Sequence, residues 1–176
     1  MTAKSHVITS LTVGLIPILL IPEYMIYAKE FVLIYIAGVV LGSLFPDIDE
    51  ENSSIGRKTI FISSMLNKLI GHRTWTHNIF LYIPFFFLGV YINGYYGVFI
   101  VGFSIGAVLH ILEDSITNSG VNYALRPFLH KFALLPKRLR FKTNGNFENL
   151  IFYPSICLLL LIEFYFIQSH ITGVVF

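Results

Sequence analysis

The chain has 176 residues, enough for one domain, and 55% of them are hydrophobic while 12% are charged. Soluble domains carry about 25% charged residues, and one small core could not bury 17 phenylalanines, so the composition points to a bilayer as solvent. The single cysteine, Cys157, excludes a disulfide framework and a thiolate metal site, which leaves histidine and carboxylate as metal ligands. The net charge is only +2 and the basic residues adjoin apolar anchors, which argues against a nucleic-acid partner.

Uncharged blocks cover residues 7–22, 31–46, 78–112 and 150–162. The third would be roughly 50 Å long as one helix, against a hydrocarbon core of about 30 Å, so it must hold two segments. Asn93-Gly94-Tyr95-Tyr96-Gly97 supplies the break, since Asn and Gly tolerate the left-handed backbone of a tight turn. Five spans are expected, near 7–22, 31–45, 78–92, 97–112 and 150–168. No small-x-small cleavage site follows the first block, so it is read as an uncleaved helix rather than a signal peptide. No repeat or linker divides the chain. The expected fold is a single all-α domain over residues 1–176, a polytopic membrane bundle of about five spans.

Antiparallel spans place the N-terminus and the connections 46–77 and 113–149 on one side, and the loop 23–30, the Asn93 turn and the C-terminus on the other. Of the twelve Lys and Arg, Lys29 alone falls on the second side. The positive-inside rule then makes the first side cytoplasmic, with the protein in the cell membrane.

The groups able to bind metal sort the same way. His6 opens span one, Asp47 and Asp49 close span two in LGSLFPDIDEE, His72 and His77 open span three, and His110 and Asp114 close span four in AVLHILED. His110 and Asp114, at i and i+4, share a helix face. Pro46 bends the chain and offers two carboxylates from irregular backbone. His72 and His77 are five apart, and Gly71 suggests His72 on a turn and His77 on the helix. Taken singly, an interfacial histidine is as readily a solvated or capping residue, and Trp75 a headgroup-level anchor. Together they form one layer, and carboxylates beside a bilayer are costly and mark function.

The same side carries two amphipathic stretches. In IFISSMLNKLI, Ile62, Met65, Leu66, Leu69 and Ile70 follow helical spacing, which suits an interfacial helix. ALRPFLHKFALLPKRLRF interleaves apolar and basic residues, either as a positive-inside loop or as a binder of anionic headgroups.

LGSLFPDIDEENS, GHRTWTHN and HILEDSITNSGVNYALRPF, in this order and separated by apolar helices, resemble the YdjM-like family of LexA-regulated, membrane-bound predicted metal-dependent hydrolases. The resemblance covers roughly residues 1–130, and His6 fits the family's early histidine. It implies a polytopic membrane protein with a divalent-metal site and hydrolytic activity. A looser similarity links His6, Asp47 or Asp49, His72 or His77, and His110 with Asp114 to the metal cluster of helical zinc-dependent phospholipases C. The chain departs from that pattern by lacking the later His-x-x-x-Glu pair.

The resulting expectation is a phosphoesterase acting on a lipid or lipid-linked substrate. It would hold two divalent ions, zinc before manganese, bridged by Asp47 or Asp49, with His6, Asp47, Asp49, His72, His77, His110 and Asp114 as ligands. Asp49 and Asp114 are the candidate proton acceptors, Arg73 would hold the phosphate, and Arg126 would steady a headgroup. Thr76, Asn78, Glu113, Thr117 and Asn118 are candidates to orient imidazoles. The rival class is a metal-binding scaffold or a cation carrier, but a carrier needs polar groups across the membrane, and the spans are apolar at mid-depth.

Overall fold

The computed structural model describes residues 1–20, 29–50, 53, 56, 57, 64 and 75–172. Within these lie five α-helices: α1 (Ala3–Leu20), α2 (Lys29–Leu44), α3 (Ile79–Ile92), α4 (Gly94–Ser115) and α5 (Tyr153–Thr172). A 3-10 turn, Phe45–Asp49, prolongs α2 through Pro46, and a π-turn, Glu148–Phe152, leads into α5.

Among the described residues, four helical stretches are long and apolar enough to cross a bilayer: Ala3–Leu20, Glu30–Asp49, Gly94–Ser115 and Glu148–Ser169. α3 is apolar too, but its 14 residues extend about 21 Å, short of the roughly 30 Å hydrocarbon core. The expected five spans are therefore four of full length and one shorter helix. The cause is local at both ends of α3. Asn78 caps it by accepting from Phe80 N at 2.9 Å, and Asn93, with φ 57°, ends it one residue before Gly94 opens α4. The turn is thus tighter than the five residues expected, and Gly89 and Gly97 let the two backbones meet where a Cβ on either would strike the other's carbonyl.

The bundle is apolar outside and polar within. Leu33, Phe87, Tyr91 and Leu161 expose most of their side chains, whereas Ser5, His6, Ser10, His110, Glu113, Asp114 and Ser115 are buried. Such a surface has no place in water and is ordinary in lipid. Mid-bundle, Leu11 and Leu15 of α1 pack with Tyr35 and Val39 of α2 and with Leu160 and Ile167 of α5.

The tightest pair is α2 against α4. Gly38 and Gly42 on one, and Gly102 and Gly106 on the other, repeat at four-residue spacing, and a Cβ at any of them would run into the facing backbone. Small residues at this spacing are how membrane helices gain close van der Waals contact without a hydrophobic driving force.

Residues 113–149 hold an element not expected from the sequence, an antiparallel hairpin of β1 (Val121–Leu125) and β2 (Leu129–Phe132). A register shift between Asn122 and Leu125 places Tyr123 at φ 67°, so Val121 and Ala124, three apart, both face inward. A bulge of this kind resets the alternation of a strand. Val121 and Ala124 pack on Tyr82 of α3 and on Ala107 and Ile111 of α4. The apolar residues of the amphipathic stretch expected at 60–70, Ile62, Met65, Leu66, Leu69 and Ile70, fall outside the described residues.

Candidate metal centre

The layer begins with the N-terminal turn of α1. Glu148, fully buried before α5, accepts from Thr2 N at 2.8 Å, Thr2 Oγ1 at 2.9 Å and Asn144 N at 2.7 Å. This ties the start of α1 to the start of α5 and sets His6 one turn deeper. His6 Nδ1 bonds Glu113 Oε2 at 2.6 Å, while Ser10, one turn further along α1, donates to Glu113 Oε1 at 2.8 Å.

His110 comes from the last turns of α4. Its Nδ1 donates to the Ser43 carbonyl at 2.6 Å, and a carbonyl can only accept, so Nε2 carries the ring's lone pair. That bond depends on the glycine contact, because Gly106 is one turn from His110 and lies against Val39 and Ser43. His77 sits in the turn before the Asn78 cap rather than on the helix itself. Its Nδ1 is 3.2 Å from Thr76 Oγ1, which donates to Asp49 Oδ2 at 2.9 Å, and Tyr82 of α3 pins the turn by donating to Thr76 O at 2.6 Å.

All three imidazoles are therefore held by Nδ1 and present Nε2 to one space. His77 Nε2 and His110 Nε2 are each 3.7 Å from Asp47 Oδ1. His110 Nε2 is 3.9 Å from Asp114 Oδ2, and His6 Nε2 is 3.1 Å from Asp114 Oδ1. The His6 and His110 rings stack with centroids 3.8 Å apart. Among the described residues two donor groups result, His6 with His110 and Asp114, and Asp47 with His77 and His110, each with its donor atoms within 4.8 Å of one another.

These residues fit a divalent cation. Two donors on one zinc-like ion stand roughly 3–3.6 Å apart, close to the separations seen. Nε2 of His110 and Oδ1 of Asp47 are buried and make no hydrogen bond, which is costly for a polar atom unless something positive lies between them. Asp47, Glu113 and Asp114 surround the rings with carboxylates, and among the described residues the Met1 amino group, paired with Asp114, is the cation that reaches them. Nitrogen and carboxylate donors without thiolate suit zinc or manganese.

The structure thus brings together His6, Asp47, His77, His110 and Asp114. Asp49 is buried beside Thr76, outside both donor groups. His72 and Arg73 lie outside the described residues. Glu113 and Thr76 contact imidazoles, whereas Asn78 caps α3, Thr117 bonds Asp114 O, and Asn118 N bonds Phe141 O. Arg126 is exposed, with its guanidinium over the Tyr123 ring at 5.0 Å. Sequence reasoning missed Ser10, Ser43 and Glu148. Ser10 had a signal, four residues after His6 on one helix face. The Ser43 carbonyl had none, because any residue supplies one.

Comparison with known proteins agrees with this architecture. The family described as YdjM inner membrane protein matches residues 1–174. The chain belongs to that family. YvsG of Bacillus subtilis (strain 168) is 36% identical over 96 residues, covering 54% of this chain and 58% of YvsG. The inner membrane proteins YdjM of Escherichia coli (strain K12) and of Shigella flexneri are each 32% identical over 91 residues, covering 49% of this chain and 46% of theirs. The chain spans about half the length of these relatives. No solved structure matches it.

Proposed function

We propose that this YdjM-family chain is a divalent-metal-dependent phosphoesterase of the cell membrane, acting on a phosphate carried by a lipid or lipid-linked molecule. The observation that carries the reading is the convergence of three Nδ1-anchored imidazoles on Asp47 and Asp114 at 3.1–3.9 Å.

Asp47, His77 and His110 would hold one ion, and His6 with Asp114 a second. His110 has one available lone pair and would serve a single ion; a carboxylate shared by two ions would be Asp47 or Asp49 on sequence grounds, or Asp114, whose two oxygens lie near His6 and His110 separately. His72 is a further ligand on sequence grounds. Zinc is the preferred ion, with manganese the alternative.

When bound, the ions lower the pKa of a water and polarise a phosphoryl oxygen. The protein's own groups do the rest. Glu113, Thr76 and the Ser43 carbonyl fix the imidazole orientations. Asp49 stands outside the donor groups and can take the water's proton without giving up a ligand, with Asp114 as the other candidate. Arg73 would meet the phosphate charge, and Arg126 a headgroup. The positive-inside rule supports a cytoplasmic site and N-terminus, since of the twelve Lys and Arg in the sequence only Lys29 is expected on the other side.

Metal analysis of protein purified without chelator, with turnover of a panel of lipid phosphates, tests the reading. His110→Ala should lose both. Full metal in both His77→Ala and His110→Ala would end it, and bound metal with no turnover of any ester would leave a metal-binding scaffold.

A further inference from the structure

Beside the histidine layer lies a cavity of about 610 Å³, between the first turns of α3 and the bulged hairpin. Ligand pockets span about 300–1,000 Å³. It is lined by Trp75, Asn78, Phe80, Leu81, Tyr123 and Arg126, with two prolines. None of these is a candidate metal ligand, yet Trp75 and Asn78 bracket Thr76 and His77 in the chain, and Asn78 Nδ2 donates to Arg126 O at 3.1 Å. The cavity and the metal centre therefore share one turn of backbone.

Its lining is aromatic and aliphatic with one cationic end. Trp75 is 64% exposed and Phe128 76%, and Phe128 pairs with Phe80 at 5.7 Å, the disposition of aromatic side chains at headgroup depth. No described carboxylate lies within ion-pair distance of Arg126. Its guanidinium is instead steadied on the face of Tyr123, which leaves its donors for an anion.

We propose that this cavity binds one apolar chain of a molecule whose phosphate-bearing headgroup is steadied by Arg126, so that the site takes chain-bearing phosphate esters in preference to chainless ones. The reaction rests on the phosphoesterase reading, but the binding does not.

Trp75 is the only tryptophan of the chain and reports on the cavity directly. Full-length protein in maltoside micelles would be titrated with dodecyl phosphate brominated near its chain end, and with similarly brominated dodecanol. The expected result is saturable quenching by the phosphate, reversed by unbrominated dodecyl phosphate and not by glycerol phosphate, and only weak, non-saturating quenching by the alcohol. Arg126→Gln should weaken phosphate binding roughly tenfold, the loss of a charge-assisted contact, with metal content and helicity unchanged. Equal, non-saturating quenching by phosphate and alcohol would overturn the proposal, because Trp75 would then merely sit in the micelle. Unchanged affinity in Arg126→Gln would also overturn it. The two readings fail separately. Saturable binding without turnover of any ester removes the phosphoesterase and keeps the cavity, whereas glycerol phosphate hydrolysed as well as dodecyl phosphate, without saturable quenching, removes the cavity and keeps the phosphoesterase.

Discussion

Gly106→Ala tests whether helix packing sets the metal centre. The new Cβ would lie 2.9 Å from Ser43 N and nearer still to the Val39 carbonyl. Ordinary contact needs about 3.5 Å, so the facing backbone of α2 must retreat by at least roughly 0.6 Å. The Ser43 carbonyl moves with it, and its 2.6 Å bond to His110 Nδ1 would lengthen past about 3.2 Å, the outer edge of an N–H···O bond. His110 then loses the partner that aims Nε2. Losing such an orienting contact costs 10–100-fold in metal affinity, and overpacking costs about 1–3 kcal/mol of stability. Gly14→Ala is the control, since its Cβ would meet only side-chain atoms, the nearest a Val39 methyl at 3.3 Å. Metal titration and thermal unfolding in detergent would follow both variants. A Gly106→Ala protein with the parent's metal affinity would refute the argument that the glycine contact holds His110 in place.

Glu113→Gln should lower metal affinity 10–100-fold while leaving the helical content intact, because it weakens the 2.6 Å contact to His6 Nδ1; isothermal titration with zinc would check this. Elemental analysis should approach two divalent ions per chain, and a value fixed at one despite added metal would place His6 and Asp114 outside the coordination. Arg73→Ala should keep the metal and lose turnover, with only partial rescue by Arg73→Lys, since an ammonium cannot reproduce a bidentate fork to phosphate. Reporter fusions after Glu51 and after Asn93 should fall on opposite faces, with Glu51 cytoplasmic, and fusions reporting the same side for both would break the clustering of the ligands at one end.

The apolar helices were legible because the bilayer demands long uncharged runs, and that demand is written in the sequence residue by residue. The layer of candidate ligands was legible for a related reason: polar groups tolerated at span ends fall on one side once the spans are set, which groups His6, Asp47, His77, His110 and Asp114. The bulged hairpin was hidden, because the extra residue at Tyr123 breaks the two-residue period that marks a strand. The extent of α3 was legible as well, since the expected 78–92 stretch is bounded by Asn78 and Asn93, the residues that cap the helix.

Composition and order by themselves thus determined the membrane class, the helix sequence and the end of the bundle that gathers the candidate metal ligands. The tertiary structure alone decided which atom each residue offers. Asp49 could not be separated from Asp47 by spacing, since both lie in FPDID, and among the described residues it is the Thr76 hydroxyl, arriving from a distant turn, that meets Asp49 while Asp47 faces His77 and His110. The orientation of His110 came from a backbone carbonyl that two facing glycine pairs bring within reach. Contacts of this kind depend on ångström-scale separations between helices, and a one-dimensional pattern records which residues share a face without recording how closely two faces meet.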